Sequence, residues 1–265
     1  MDWESSSSQL RDKIKAVGKE GFKELALAVF QHQARHNPLY RKYIQLLNVR
    51  PERVTKPEQI PFLPIQFFKS YDIKTGSWTP ERYFTSSGTG NKAQTSRHAV
   101  RSVSWYLNRT TSIFGHYYGS IEDYCIFALL PAYLEREGSS LVMMARHFIE
   151  RSKYDASGFF LYDYPQLIRQ IRSCRQRNIP FILLGVSFAL WELAEQYEHN
   201  MQGGIVMETG GMKGRRREIT RQELHGILTQ AFSVDAIHYE YGMTELLSQA
   251  YSAGSGAFRL PPTMR

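Results

Sequence analysis

Phe181-Ile182-Leu183-Leu184, closed by Gly185 and followed by Ser187-Phe188-Ala189-Leu190-Trp191-Glu192-Leu193-Ala194, decides how the chain is read. Four unalternated apolar residues predict a strand covered on both faces, and Leu190, Trp191, Leu193 and Ala194 predict a helix with Ser187 as its cap. The same unit recurs on either side. Upstream, Tyr124-Cys125-Ile126-Phe127-Ala128-Leu129-Leu130 is a second such run, ended by Pro131, with a helix expected over residues 139–149. Leu167, Ile168 and Ile171 mark another helix. Downstream, Ile205-Val206-Met207 predicts a strand. Thr220 and Glu223 then form a capping box for a helix burying Leu224, Ile227 and Leu228, and residues 236–239 predict a further strand. Buried strands alternating with helices predict an α/β fold built on a doubly wound, mainly parallel sheet.

Ahead of this pattern, Phe22, Leu25, Ala26, Val29 and Phe30 recur at helical spacing within residues 19–36, and Asn37-Pro38 stops that helix. Pro51, Pro57, Pro61 and Pro64 alternate with apolar residues and predict an extended, partly buried connector. Residues 82–85 predict a strand, followed by a glycine turn and a helix over residues 98–114. The expected organisation is an N-terminal helical segment with its connector, residues 1–60, and an α/β core, residues 61–265.

Composition narrows the classes of function. The 265 residues are 42% hydrophobic and 13% aromatic, which excludes a disordered or collagen-like chain. No apolar run approaches the roughly 18–20 residues of a membrane span, and the serine-rich, acidic start does not resemble a leader, so a cytoplasmic protein is expected. The net charge is +8, from 33 Lys+Arg against 25 Asp+Glu. It is scattered, with its densest knot at Lys213-Gly214-Arg215-Arg216-Arg217, and no nucleic-acid-binding motif accompanies it, so no nucleic-acid partner is expected. Cys125 and Cys174 lie in no CxxC pattern and are expected to be plain thiols. His32 and His36 share a helix face without a visible third ligand, so exposed polar residues are expected there.

Three loops that follow predicted strands carry chemistry. Thr85-Ser86-Ser87-Gly88-Thr89-Gly90-Asn91-Lys92 combines hydroxyls, glycines and a lysine, which suits a polyanion, although on composition alone a surface turn is the better fit. Its spacing is not that of a P-loop. Glu208-Thr209-Gly210-Gly211-Met212-Lys213 is the second loop, and Tyr239-Glu240-Tyr241-Gly242-Met243-Thr244-Glu245 the third. There a carboxylate can hold magnesium against phosphate oxygens and an aromatic ring can stack on a base.

Ser86-Ser87-Gly88-Thr89-Gly90 resembles the phosphate loop of the adenylate-forming enzymes, and Tyr241-Gly242-Met243-Thr244-Glu245 resembles their YGxTE motif. Within that superfamily the chain is most similar to the acyl-protein synthetases of bacterial luminescence, relatives of the phenylacetate–CoA ligases. The likeness runs from about Pro61 to the end and includes Leu129-Leu130-Pro131-Ala132-Tyr133, residues 182–190 and Glu208-Thr209-Gly210-Gly211.

The resemblance implies ATP-dependent activation of a carboxylic acid, with fatty acids the expected class, as an acyl adenylate for transfer to a thiol of CoA or of an acceptor protein. Ser86, Ser87, Gly88, Thr89 and Gly90 would cradle the β- and γ-phosphates, and Gly210 and Gly211 would border the adenine. Tyr241 would stack on that base, with Gly242 allowing the turn beside it. Thr244 would contact the α-phosphate, and Glu245 would hold magnesium. Tyr133, Gly185, Val186, Ser187 and Phe188 would line the acyl site. A homo-oligomer is compatible with this reading.

The family also carries a ribose-binding aspartate and a mobile C-terminal lid beyond its YGxTE motif. Here the sequence stops at Pro261-Pro262-Thr263-Met264-Arg265, so a form shortened at its C-terminal end is expected. Two other readings compete. Gly185-Val186-Ser187-Phe188-Ala189 approaches the GxSxG elbow of α/β-hydrolases, with Ser187 completed either by Asp235 and His238 or by Glu208 and His225. The third reading is a non-catalytic nucleotide-binding remnant.

Overall fold

The structure, a computed structural model, describes residues 3–86, 95–131, 138–197, 199–212 and 214–265. Two compact units account for the chain: Met1–Val103 with Leu260–Arg265, and Ser104–Arg259. No helix among the described residues is long and apolar enough to cross a membrane.

In the first unit, α1 (Trp3–Ala16), α2 (Phe22–His36) and α3 (Pro38–Leu46) precede three 3-10 turns at Pro51–Arg53, Pro57–Gln59 and Ile65–Lys69. Asn37 serves two helices. Its backbone N–H donates to Gln33 O at 2.9 Å to close α2, while its Oδ1 accepts from Tyr40 N at 3.1 Å to open α3. Pro38 follows at the first helical position, where no N–H is needed. Phe30, Ala34, Tyr40 and Ile44 form a small core, against which Val49, Val54, Ile60 and Leu63 pack. The proline segment is partly buried as expected, but its extended stretches are interrupted by 3-10 turns. Pro51 and Pro57 each open a 3-10 turn, because the fixed φ of proline suits a first helical turn.

β1 (Arg82–Thr85) and β2 (Arg97–Val100) form an antiparallel hairpin, with Tyr83 opposite Ala99 and Phe84 opposite His98. The helix expected from residue 98 is thus corrected: residues 97–100 are strand, and α4 runs Val103–Tyr118. Pairing with β1 buries Ala99 and Val100, and the Glu81 carboxylate accepts from Val103 N at 2.9 Å, which satisfies a helix N–H there.

The second unit continues through β3 (Cys125–Leu129), α5 (Ser140–Arg151), β4 (Gly158–Phe159), α6 (Tyr164–Gln176), β5 (Phe181–Val186) and α7 (Ser187–Gln196). It closes with β6 (Ile205–Thr209), α8 (Arg221–Phe232), β7 (His238–Tyr241) and β8 (Ala250–Ser252). Among the described residues these strands make one six-stranded sheet, ordered β4-β3-β5-β6-β7-β8, parallel except for antiparallel β8. The fold is α/β with a mostly parallel, mixed sheet. β3 and β5 are buried at every position, as their unalternated apolar runs require.

The connection from β3 to β4 steps one way across the sheet and the connections from β5 through β6 to β7 step the other. This reversal puts a topological switch point between β3 and β5, next to the β6 and β7 ends, and ligands of open α/β sheets bind outside the carboxyl ends of the strands at such points.

Gly204 enters β6 against the ring of fully buried Phe181, and a Cβ at that position would run into the ring. Gly204→Ala is expected to destabilise the protein by about 1–3 kcal/mol, the usual cost of overpacking, read as a lower urea midpoint at unchanged m-value.

Candidate functional site

The carboxyl ends of β5, β6 and β7 lie side by side. Gly185 pairs with Glu208 and Val186 with Thr209, while Glu208 pairs with Tyr239 and Thr209 with Glu240. With strands about 4.8 Å apart, three ends span about 10 Å. Gly210-Gly211 leaves this edge from β6 and Gly242-Met243-Thr244-Glu245 leaves it from β7, so two of the three loops singled out in the sequence emerge as neighbours. In the remaining loop Ser87, Gly88, Thr89 and Gly90 lie outside the described residues, as does Tyr133. Ser86 is described, at the end of the β1–β2 hairpin. Its N–H donates to Ser96 O at 3.0 Å and its Oγ accepts from Ser96 N at 3.0 Å, so it clasps the neck of that loop.

Gly210 has φ +74°, a left-handed conformation that L side chains rarely adopt, and a Cβ at Gly211 would meet open space. Tyr241 is 36% exposed, sets its ring edge-on to Phe258 at 5.7 Å, and its hydroxyl donates to Met243 Sδ at 2.9 Å. A Cβ at Gly242 would come within 2.6 Å of Glu240 Oε1, so a larger residue would collide with that carboxylate. Thr244 and Glu245 form a turn and are half-buried.

β6 and β7 each reach two residues further than expected, to Thr209 and Tyr241. Glu208, Thr209 and Glu240, which the sequence places in loops, are therefore buried strand residues. Glu208 accepts from Ser187 Oγ at 2.5 Å through Oε1, and its Oε2 is 2.8 Å from His225 Nε2 on α8. This corrects the expected capping role of Ser187. It is the first residue of α7, Val186 occupies the cap, and the hydroxyl donates to a carboxylate, a stronger partner than the helix amides.

The geometry also disfavours Ser187 as a hydrolytic nucleophile. A nucleophile needs its base next to it and the acid behind that base, whereas here the acid stands between serine and histidine. In the other candidate set, His238 lies on the sheet face opposite Glu208, and its Nδ1 is 3.0 Å from the Tyr118 hydroxyl. Gly185, Val186, Ser187 and Phe188 are all buried, so they form the floor of the edge, with Arg215 over the Phe188 ring at 5.2 Å.

Glu240 is fully buried on the other face and accepts from Thr209 Oγ1 at 2.6 Å. It shares a small cavity, lined also by Phe114, Met144 and Tyr251, and burial pushes its carboxyl up to about 7 while the threonine hydrogen bond opposes the shift. The raised value means that the folded state holds a proton the unfolded state has released. Stability from this group is complete below about pH 4.5 and is lost as pH rises to about 7. Glu240→Gln is expected to flatten that decline, measured as urea-unfolding free energy against pH. A slope identical to that of the wild type would show that another group carries it.

No protein-family model and no curated protein sequence matches this chain.

Proposed function

We propose that the chain is an adenylate-forming domain that activates a carboxylic acid, with fatty acids as the favoured class, using ATP and magnesium. The observation that carries this reading is the adjacency of Gly210-Gly211 and Tyr241-Gly242-Met243-Thr244-Glu245 on neighbouring parallel strand ends. Those segments also bear the resemblance to adenylate-forming enzymes. In the proposed reaction a substrate carboxylate oxygen bonds to the α-phosphorus of ATP and pyrophosphate leaves, giving an acyl adenylate for transfer to CoA or a protein thiol.

The roles proposed for the described residues follow from their places at the strand ends. Gly210 and Gly211 present backbone without side-chain obstruction, leaving room for a planar base, and the exposed Tyr241 ring supplies a stacking face. Thr244 offers a hydroxyl to the α-phosphate. Glu245 would hold magnesium, whose charge stabilises the pentavalent transition state. A single half-buried carboxylate suits that ion, because magnesium is commonly bound by one or two carboxylates together with substrate phosphates. Val186 and Phe188 supply apolar surface beneath the acyl group. Tyr133, Ser87, Gly88, Thr89 and Gly90 enter the proposal on sequence alone.

The test is carboxylate-dependent exchange of labelled pyrophosphate into ATP. Glu245→Ala is expected to lower exchange by about 100-fold or more, the scale of losing one transition-state electrostatic contact, with thermal unfolding unchanged. Wild-type exchange in that variant would remove Glu245 from the assignment. Ser187→Ala is expected to retain exchange while losing about 1–3 kcal/mol of stability, because the buried Glu208 oxygen loses its donor. Ester hydrolysis that disappears with Ser187 would instead favour a hydrolase.

A further inference from the structure

We propose that the groove between α1 and α2 is a binding site for a phosphate-bearing anion, with Lys13, His32, Arg35 and His36 as its cationic and hydrogen-bonding ligands. The groove encloses about 270 Å³ within the first unit, enough for a phosphoryl group and part of what carries it. It is distinct from the strand-end loops of the second unit, and its assignment does not depend on the proposed adenylation.

Helical geometry gathers the ligands. Ser6 and Lys13, seven residues apart, lie on one face of α1. On α2, Gln31, His32, Arg35 and His36 follow the i, i+4 rows that make neighbours on a helix surface. The His32 and His36 rings stand 4.9 Å apart, and His32 Nδ1 lies 3.0 Å from Ser6 Oγ. Among the described residues, no Asp or Glu lines the groove. On α1 the nearby carboxylates are engaged elsewhere: Asp12 lies 3.6 Å from Lys15, and Glu4 lies 3.7 Å from Arg101.

Cations thus converge on a concave surface whose described lining holds no carboxylate to balance them. His32 is held below its ordinary value first by burial and then by His36, so its own positive charge, beyond those of Lys13 and Arg35, is suppressed until an anion enters. A bound phosphate anion outweighs both effects by opposite-charge attraction. Its oxygens accept from the guanidinium fork, the ammonium and the imidazoles, and charge-assisted bonds of this kind are the strong ones.

Two histidines at i, i+4 also suggest a transition metal. The same groove, however, holds an ammonium and a guanidinium that repel a cation, and one His32 nitrogen already faces Ser6.

The experiment titrates the full chain with inorganic phosphate near pH 6.5, at ionic strength matched with chloride, following the imidazole resonances by NMR and the heat by calorimetry. Saturable binding is expected, with the His32 titration displaced to higher pH. Lys13→Gln with Arg35→Gln should weaken binding by about tenfold or more, the loss expected for a charge-assisted hydrogen bond, without lowering the melting temperature. Both side chains are exposed, and Arg35→Gln alone provides a milder variant. Glycerol phosphate and vesicles containing phosphatidic acid form two further arms. Preference for one over the other separates a free phosphate ester from a lipid headgroup, and binding in either arm supports the site. Equal responses to chloride and phosphate, or undiminished phosphate affinity in the double variant, would overturn the proposal. So would zinc moving the His32 and His36 resonances at concentrations where phosphate does not.

Discussion

Glu208 is a carboxylate that cannot stay buried without partners, and the strand-end edge is organised around supplying them. Stripped of its donors, an ionised carboxylate in this interior would cost several kcal/mol. Its two oxygens instead face Ser187, at the start of α7, and His225, on α8, while its backbone belongs to β6. One side chain therefore couples three elements. The register of β5 against β6, the start of α7 and the rotation of α8 must all be right for both contacts to form.

The opposite sheet face carries the complementary constraint. Because Thr209 pairs with Glu240 across the β6–β7 ladder, the hydroxyl reaches the second carboxylate directly, in a site dry enough to favour its protonated form. Glu240 in turn crowds the turn after β7, since a Cβ at position 242 would force its Oε1 to move. Polar contacts thus hold both faces of the sheet at the point where the loops depart. Side chains carried on such an edge are positioned by rigid elements, which is what a site needing sub-ångström placement requires.

Much of this architecture was legible because hydrophobic pattern sets it. The unalternated runs around Phe127 and Leu183 became fully buried parallel strands, and the Thr220–Glu223 capping box opens α8 as its spacing demands. The strand ends were not legible. Glu208 and Glu240 break the apolar runs, so β6 and β7 read as finished two residues early, and only tertiary hydrogen bonds reveal that these carboxylates continue the strands. The same limit hid β2, since Arg97-His98-Ala99-Val100 fits the start of a helix until β1 lies beside it. It also hid β8, whose Ala250-Tyr251-Ser252 gains its identity from pairing with β7. Ser187 shows the limit at the level of one side chain. A serine ahead of an apolar helix is a sound cap by local rules, but a buried carboxylate on another strand outcompetes the helix amides for its hydroxyl.

These strand ends also explain why short motifs mix two kinds of residue. In Glu208-Thr209-Gly210-Gly211, the first two side chains are core and the last two positions are bare backbone at the edge. In Tyr239-Glu240-Tyr241-Gly242, a buried tyrosine and carboxylate precede an exposed ring and a glycine that lies close to the carboxylate. Alternation along a strand forces this division, since successive side chains point to opposite faces until the strand stops. Beyond that point Thr244 and Glu245 lie in a half-buried turn outside the sheet. A motif crossing a strand end therefore divides its acidic residues by place: Glu240 inside the sheet is fixed by the core, while Glu245 lies in the turn beyond it.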